Sequence, residues 1–263
     1  MSKILLFCDF VSKGKIAGNI MEPVLTYSGN DAFFLPSALI SNNFSLGNIA
    51  IFDTTDHIKN SLKVWDELGL NFDLIFIGFI NNIEQKNIIV KYIESLEKKP
   101  IVILDPVMGD DGKLYPSVSQ EKINIYKELL SIADICMSNI TEANFLGLDN
   151  YKNLTTSNKK YTITSLNDSN GFYNIAIDDS ISKNYYNRID HDFAGTGDLL
   201  DALFINYYLK TNDFIKANKL AMTKIYEILA NNVNDFPDEI DIYIEKYLQL
   251  IESGGNFAGK KIL

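Results

Sequence analysis

The stretch IVILDPVMGDDGKLYP, residues 101–116, decides how the rest of the chain is read. Ile101 to Leu104 form an apolar run with no polar alternation, which suits a strand covered on both faces, as in a parallel sheet. Asp105 ends the run, Pro106 removes a backbone donor, and Gly109 loosens the loop before Asp110 and Asp111. Carboxylates therefore collect just beyond a strand's carboxyl end, where open parallel sheets bind their ligands. A sparse acidic loop of this kind suits hydrated magnesium, which takes one or two carboxylates and shares the rest of its shell with water and phosphate. Taken alone, the stretch reads equally well as a solvated polar turn.

Similar runs recur at 3–8 (KILLFC), 74–79 (LIFIGF), 134–137 (DICM), 161–164 (YTIT) and 172–177 (FYNIAI). Between them lie apolar stripes at helical spacing: Ile58, Leu62, Trp65 and Leu68, then Ile89, Ile93 and Leu96. Strand alternating with helix predicts an α/β fold of three αβα layers around a mainly parallel sheet. Ala217, Ala221, Ile225 and Ile228 mark a later helix, and 236–251 (FPDEIDIYIEKYLQLI) is expected to form the last one. Residues 149–160 read as a surface loop with at most a short helical turn, and the tail 252–263 as loosely ordered. No linker, repeat or low-complexity block divides the chain, so one domain over 1–263 is expected.

The 263 residues are 46% hydrophobic and carry a formal charge of −10, which favours a packed enzyme-sized core and disfavours nucleic acid or anionic membranes as partners. Cys8 and Cys136 sit in apolar runs without metal-ligand spacing and are expected as buried thiols. The opening MSKILLFCDF is too short for a signal peptide and no run reaches the length of a membrane span, so a cytoplasmic protein is expected. Several phosphate and nucleophile motifs are missing. Gly14-Lys15, Gly112-Lys113 and Gly259-Lys260 are not followed by Ser or Thr as a P-loop requires, and Leu200 spoils a dinucleotide fingerprint at Gly195 and Gly197. A calcium loop around Gly112 would need ligands at Val107 and Gly109. His57 and His191 have no accompanying nucleophile signature.

Two further segments carry chemistry. In ADICMSNITEANFLGL, 133–148, a strand runs into Asn139 and a helix begins with Glu142 on the same side. An N-cap with a favourable first-turn acid accounts for this pair on its own. In FAGTGDLLDALF, 193–204, Gly195, Thr196 and Gly197 leave backbone N–H groups free at a helix start, an anion site by geometry and dipole. Asp198 beside them is placed to accept a proton from a hydroxyl attacking a phosphoryl group, or simply to cap the helix.

In this order, GTGD resembles the anion-hole and base motif of the ribokinase-like family, and NITE its Asn-x-x-Glu magnesium and phosphate motif. DPVMGDDGKLY resembles the pyridoxal kinase branch and its hydroxymethylpyrimidine kinase relative, and the absence of a cysteine from the turn before Asp198 is similar to the former. DFVSKGKIAGN, LPSALISNNFSLG and IGFINN resemble segments around the pyridine ring. The resemblance spans roughly 3–210 and implies a ribokinase-like fold and an ATP- and Mg²⁺-dependent kinase acting on the 5′-hydroxymethyl group of a vitamin B6 vitamer. Alternatives within it are a hydroxymethylpyrimidine kinase and a vitamer-binding protein without catalysis. By position it implies Asp198 as base and Gly195, Thr196 and Gly197 as anion hole. It implies Asp105, Asp110, Asn139, Thr164 and Ser165 toward the nucleotide and phosphates, with Asp110 and Glu142 toward the metal. Asp9, Ser12, Ser37, Asn43 and Phe79 fall where the family surrounds its ring. It also implies a homodimer and a monovalent cation such as K⁺. Met137-Ser138, Asn43 and Phe79 depart from the family's usual Thr-Pro, His and Tyr, changes that bear on substrate choice more than on phosphoryl transfer.

Overall fold

The structure, a computed structural model, describes residues 1–43 and 46–252. Residues 44–45, within the LPSALISNNFSLG segment, and the predicted loose tail from 253 onward lie outside the described residues.

The apolar runs become β1 (Lys3–Val11), β4 (Leu74–Ile77), β5 (Ile101–Leu104), β8 (Ile135–Asn139), β9 (Lys160–Asp168) and β10 (Gly171–Ile177). They join β2 (Asp31–Ile40), β3 (Ile51–Asp53) and β11 (Ile181–Tyr186) in a nine-stranded sheet of order β11-β10-β9-β8-β5-β4-β1-β2-β3. The interior pairs from β9 through β8, β5, β4 and β1 to β2 are parallel, whereas β3 and the β9-β10-β11 end run antiparallel. A small hairpin, β6 (Gly109–Asp110) with β7 (Lys113–Leu114), follows β5.

Strand periodicity sorts the core into two layers. Leu5, Phe7, Ile75, Ile77 and Leu104 face one side, where they meet α2 (Thr55–Glu67), α3 (Ile83–Ser95), α4 (Gln120–Ile132) and α5 (Ile140–Leu146). Ile4, Leu6, Cys8, Phe76 and Ile103 face the other, against α1 (Gly18–Tyr27), α7 (Thr196–Thr211) and α8 (Phe214–Asp235). The three-layer αβα arrangement expected from the alternation is thus present. The short α6 (Tyr151–Leu154) lies in the stretch read as a loop, and both cysteines are buried free thiols.

The stripes on α3 and α8 are buried, as their spacing predicts. Leu68 departs: it falls past the end of α2 and is 67% exposed. The expected last helix over 236–251 is also different. It breaks into irregular chain, a 3₁₀ turn at Ile244–Lys246 and α9 (Leu248–Glu252). Its buried residues Ile242, Ile244, Tyr247 and Ile251 begin with a spacing of two, which no helix face accommodates. The buried Asn232 holds the chain open instead, donating from Nδ2 to the Asp241 carbonyl and accepting from the Tyr243 N–H. Among the described residues, no helix is long and apolar enough to cross a membrane.

Candidate active site

Parallel pairing brings the carboxyl ends of β1, β4, β5 and β8 side by side, and the acidic residues sit there. Asp9 is the seventh residue of β1 and is buried; Asp105 directly follows β5; Asn139 closes β8, paired with Thr164 of β9. Asp198 arrives from the opposite layer, as the third residue of α7.

At the β8–α5 junction the sequence forms a complete capping box. The Asn139 side chain accepts from the Glu142 N–H, and Glu142 Oε2 accepts from the Asn139 N–H, each at 3.0 Å. Both residues also reach out of the helix. Glu142 Oε1 accepts from the Met108 N–H at 3.0 Å and Asn139 Nδ2 donates to the Gly109 carbonyl at 2.7 Å. Thr141 Oγ1 accepts from the Gly112 N–H at 2.8 Å. The first turn of α5 therefore fixes the hairpin that presents Asp110, so capping and site-building are the same set of bonds.

The start of α7 is different, because Asp198 does not cap it. Gly195 is the cap residue, at φ 80°, and no side chain supplies a cap bond. A Cβ on Gly195 would lie 2.6 Å from the Lys15 carbonyl oxygen and 2.6 Å from Ile20 Cδ1, so close approach and left-handed backbone both demand glycine. A Cβ on Gly197 would meet no atom within 4 Å, which leaves open space over the first-turn N–H groups. The N–H groups of Ala17 and of Asp198 itself instead face its carboxylate and favour the charged form.

These carboxylates share one electrostatic neighbourhood. Burial, then the Asp198 charge, pushes Asp9 up to about 7; burial, then Asp198, pushes Asp105 up to about 7. Burial lifts Asp198 too, against the pull of the two backbone N–H groups, and burial with the Asp105 charge lifts Glu142 well above the usual range. Tyr115 registers the whole group. Its hydroxyl is pushed up by burial and then by Glu142, Asp110, Asp105 and Asp198. Among the described residues, no ion pair uses Asp9, Asp105, Asp110, Glu142, Asp198 or Asp201. Oxygen donors without lysine or arginine partners fit a divalent cation. No three His, Cys, Asp or Glu side chains among the described residues converge as a ready-made cage.

Of the residues expected around the ring, Ser37 is fully buried, and its hydroxyl donates to the Phe79 carbonyl. Phe79 packs against Val11, Ala38 and Ile40, while Asn43 donates its N–H to the Lys13 carbonyl. The loop after β4 is pinned from α4: Lys122 Nζ donates to the Ile80 and Asn81 carbonyls and lies 4.8 Å over the Phe79 ring. Ser12 lines a cavity of about 380 Å³ whose walls include Phe10, Phe34 and Lys15 but not Asp198. Of the residues expected toward the nucleotide, Thr164 and Ser165 stand opposite Asn174 at a bulge, with Ser165 at φ 62°.

No family model matches the chain. The Schizosaccharomyces pombe protein named "Putative pyridoxal kinase C6F6.11c" is 30% identical over 269 residues, covering 88% of this chain and 86% of that protein. The chain belongs to the pyridoxal kinase family. Dictyostelium discoideum pyridoxal kinase is 26% identical over 266 residues, covering 89% of this chain and 86% of that one. Among solved structures, pyridoxal kinase from Lactobacillus plantarum superposes with a TM-score of 0.88 at 23% identity, over 95% of this chain and 96% of that chain. The ribokinase-like fold expected from the motifs is thus the fold of this pyridoxal kinase family member.

Sequence reasoning missed four residues that the fold draws in: Ala17, Tyr115, Lys122 and Asp201. Asp201 had a readable signal, since it lies three residues after Asp198 on a helix and shares its face. Ala17 had none, because its role lies in its backbone.

Proposed function

We propose that the chain transfers the terminal phosphoryl group of ATP to the 5′-hydroxymethyl group of pyridoxal, pyridoxamine or pyridoxine, as one kinase domain over 1–263. The carrying observation is that Asp105, Asp110, Glu142 and Asp198, from four separate segments, all lie within electrostatic reach of Tyr115, with open space at Gly197 in the first turn of α7.

In this reading Asp198 accepts the proton of the attacking hydroxyl, and its lifted pKa makes it a stronger base than an ordinary carboxylate. The first-turn N–H groups at Gly195, Thr196 and Gly197 receive the oxygens of the transferring phosphoryl group and stabilise the charge that develops on them. Asp105 and Asn139, with Thr164 and Ser165 on the neighbouring strand, border the phosphates and nucleotide. Asp110 and Glu142 are the carboxylates toward magnesium, which when bound neutralises phosphate charge. Asp9, Ser12, Ser37, Asn43 and Phe79 border the vitamer, with Ser37 acting through the Phe79 carbonyl. A monovalent cation such as K⁺ and a cytoplasmic location complete the proposal.

A homodimer is part of the same reading. Phe10, Leu39 and Phe52 pair in register across β1, β2 and β3 and are 39%, 41% and 67% exposed, an apolar row at the sheet's outer end. Sedimentation of the parent and of Phe52→Glu tests it: a dimer that the substitution dissociates supports the row as the contact, and a monomeric parent refutes the dimer.

The deciding experiment measures phosphorylated product from the three vitamers and from hydroxymethylpyrimidine, with and without Mg²⁺. Metal-dependent turnover of a vitamer is the expected result. Turnover of the pyrimidine alone would reassign the substrate, and tight vitamer binding without ATP consumption would remove the kinase activity.

A further inference from the structure

The loop after β4 that carries Phe79, residues 78–82, is held by two residues besides Lys122. Gln85, the third residue of α3, is fully buried, whereas Ile89, Tyr92 and Ile93, one and two turns further along, fill the core with apolar or aromatic side chains. A buried amide is costly unless both of its ends are bonded. Here Oε1 accepts from the Asn81 N–H at 2.9 Å and Nε2 donates to the Ser37 carbonyl at 2.7 Å. An N–H only donates and a carbonyl only accepts, so this place suits an amide in one orientation and neither a carboxylate nor a hydrocarbon of the same length. Ser37 in turn donates its hydroxyl to the Phe79 carbonyl. Outside this bridge Asp53, the last residue of β3, is exposed, yet its Oδ2 accepts from Asn81 Nδ2 at 2.6 Å and from Asn82 Nδ2 at 2.8 Å, while Oδ1 accepts from the Thr55 N–H at 2.9 Å.

We infer that Gln85 and Asp53 are positioning residues for ring recognition: they fix the backbone of the loop after β4 and so set the Phe79 ring against the vitamer. This rests on the vitamer reading given above. The Phe79 carbonyl and the Asn81 N–H belong to the peptide units on either side of Ile80, and both end on the Gln85–Ser37 bridge. Neither unit turns without breaking a bond. Lys122 reaches only the Ile80 and Asn81 carbonyls, so it cannot replace the bridge. The Phe79 ring, packed on Val11, Ala38 and Ile40, inherits the placement. Asp53 ties the two asparagines of the same loop to the edge strand, which holds the loop from outside as Gln85 holds it from within.

Three variants test the clamp. Gln85→Met keeps the length of the side chain and removes both bonds, Asp53→Ala removes the outer tie, and Asp53→Asn retains an acceptor for the two asparagines. Titration of pyridoxal without ATP is expected to show affinity weakened about tenfold in Gln85→Met and about three- to tenfold in Asp53→Ala, the effect of one or two lost hydrogen bonds, with Asp53→Asn within about twofold of the parent. In the kinetic assay kcat should stay within about threefold, and ADP affinity should not change, because the loop borders the ring and not the phosphates. Amide hydrogen exchange over residues 78–82 should quicken in Gln85→Met and Asp53→Ala alone. Parent-like pyridoxal affinity in both of those variants, a loss confined to kcat, or an equal fall in ADP affinity would each overturn the inference. If Gln85→Met does not fold, the Asp53 pair decides: parent-like binding in the Ala variant, or an equal loss in Asn and Ala, has the same effect. A parent that binds pyridoxal but transfers no phosphoryl group rejects the kinase reading and leaves the titration to decide the clamp, whereas a parent that binds no vitamer overturns both.

Discussion

The N–H of Ala17 faces the carboxylate of Asp198 and favours its charged form, from a backbone at φ 48° and ψ −126°. That conformation favours glycine, and alanine held there stores on the order of 1–3 kcal/mol of strain. The strain is sustained because α1 packs against α7, and it aims one amide at one carboxylate. Ala17→Gly is expected to raise stability by about 1 kcal/mol and to leave turnover within a few-fold, since the amide remains. Urea unfolding and steady-state kinetics check both, and a loss of stability would show that the backbone is unstrained.

Asp198→Asn keeps size and hydrogen bonding while removing basicity. A loss in kcat of about 10² to 10⁴, the range for a positioned general base, is expected with ADP affinity unchanged. Isothermal titration beside the kinetic assay separates the two effects, and unaltered turnover would take Asp198 out of the chemistry.

Gly195 and Gly197 are expected to fail in opposite ways. Gly195→Ala places a Cβ against the Lys15 carbonyl at a positive φ, so stability should fall by several kcal/mol or the protein should not accumulate. Gly197→Ala meets no protein atom and should preserve Tm to within a few degrees, yet it intrudes on the space for phosphate and should weaken ATP binding. Thermal unfolding with and without ATP distinguishes them. Equal behaviour of the two variants would contradict the assignment of open space to an anion.

Asp9 gives the pH dependence a sign. Its folded pKa of about 7 exceeds the unfolded 3.8, so its contribution to stability is fully present below about pH 4 and disappears as pH rises to 7. Asp9→Asn should accordingly be more stable than the parent at pH 8, by roughly 4 kcal/mol at most, and the advantage should vanish near pH 4. Chemical denaturation across this interval measures it.

Lys122→Met should loosen the loop after β4 while keeping most of the side chain's apolar bulk. Loss of the bonds to the Ile80 and Asn81 carbonyls is expected to raise KM for pyridoxal by about three- to tenfold with kcat little changed, in line with one or two lost hydrogen bonds. A change confined to kcat would place the effect elsewhere.

Much of this was legible in the chain. Ile101–Leu104 is apolar without alternation because both of its faces are covered, so the parallel interior could be read from residue type alone. Asp105, Asn139 and Asp198 were legible because each sits at a junction where element and chemistry change together. What escaped is non-local. Pro36 lies within β2, which pairs with β1, so a residue that normally argues against a strand sits inside the sheet. The 236–251 segment has helical composition, yet the Asn232 side chain captures its backbone. The link between Lys122 and Phe79 spans two elements whose contact depends on how α3 and α4 lie on the sheet. No periodicity encodes it.

Residues 9, 105, 142 and 198 reach their meeting place from four separate segments spread across most of the polypeptide. A proteolytic or genetic fragment lacking any one quarter therefore has no partial centre to offer, and split halves would regain activity only on reassembly. Occupancy of the centre reports on the integrity of the whole molecule, so a nucleotide or vitamer that binds here should act as a pharmacological chaperone for substitutions far from it.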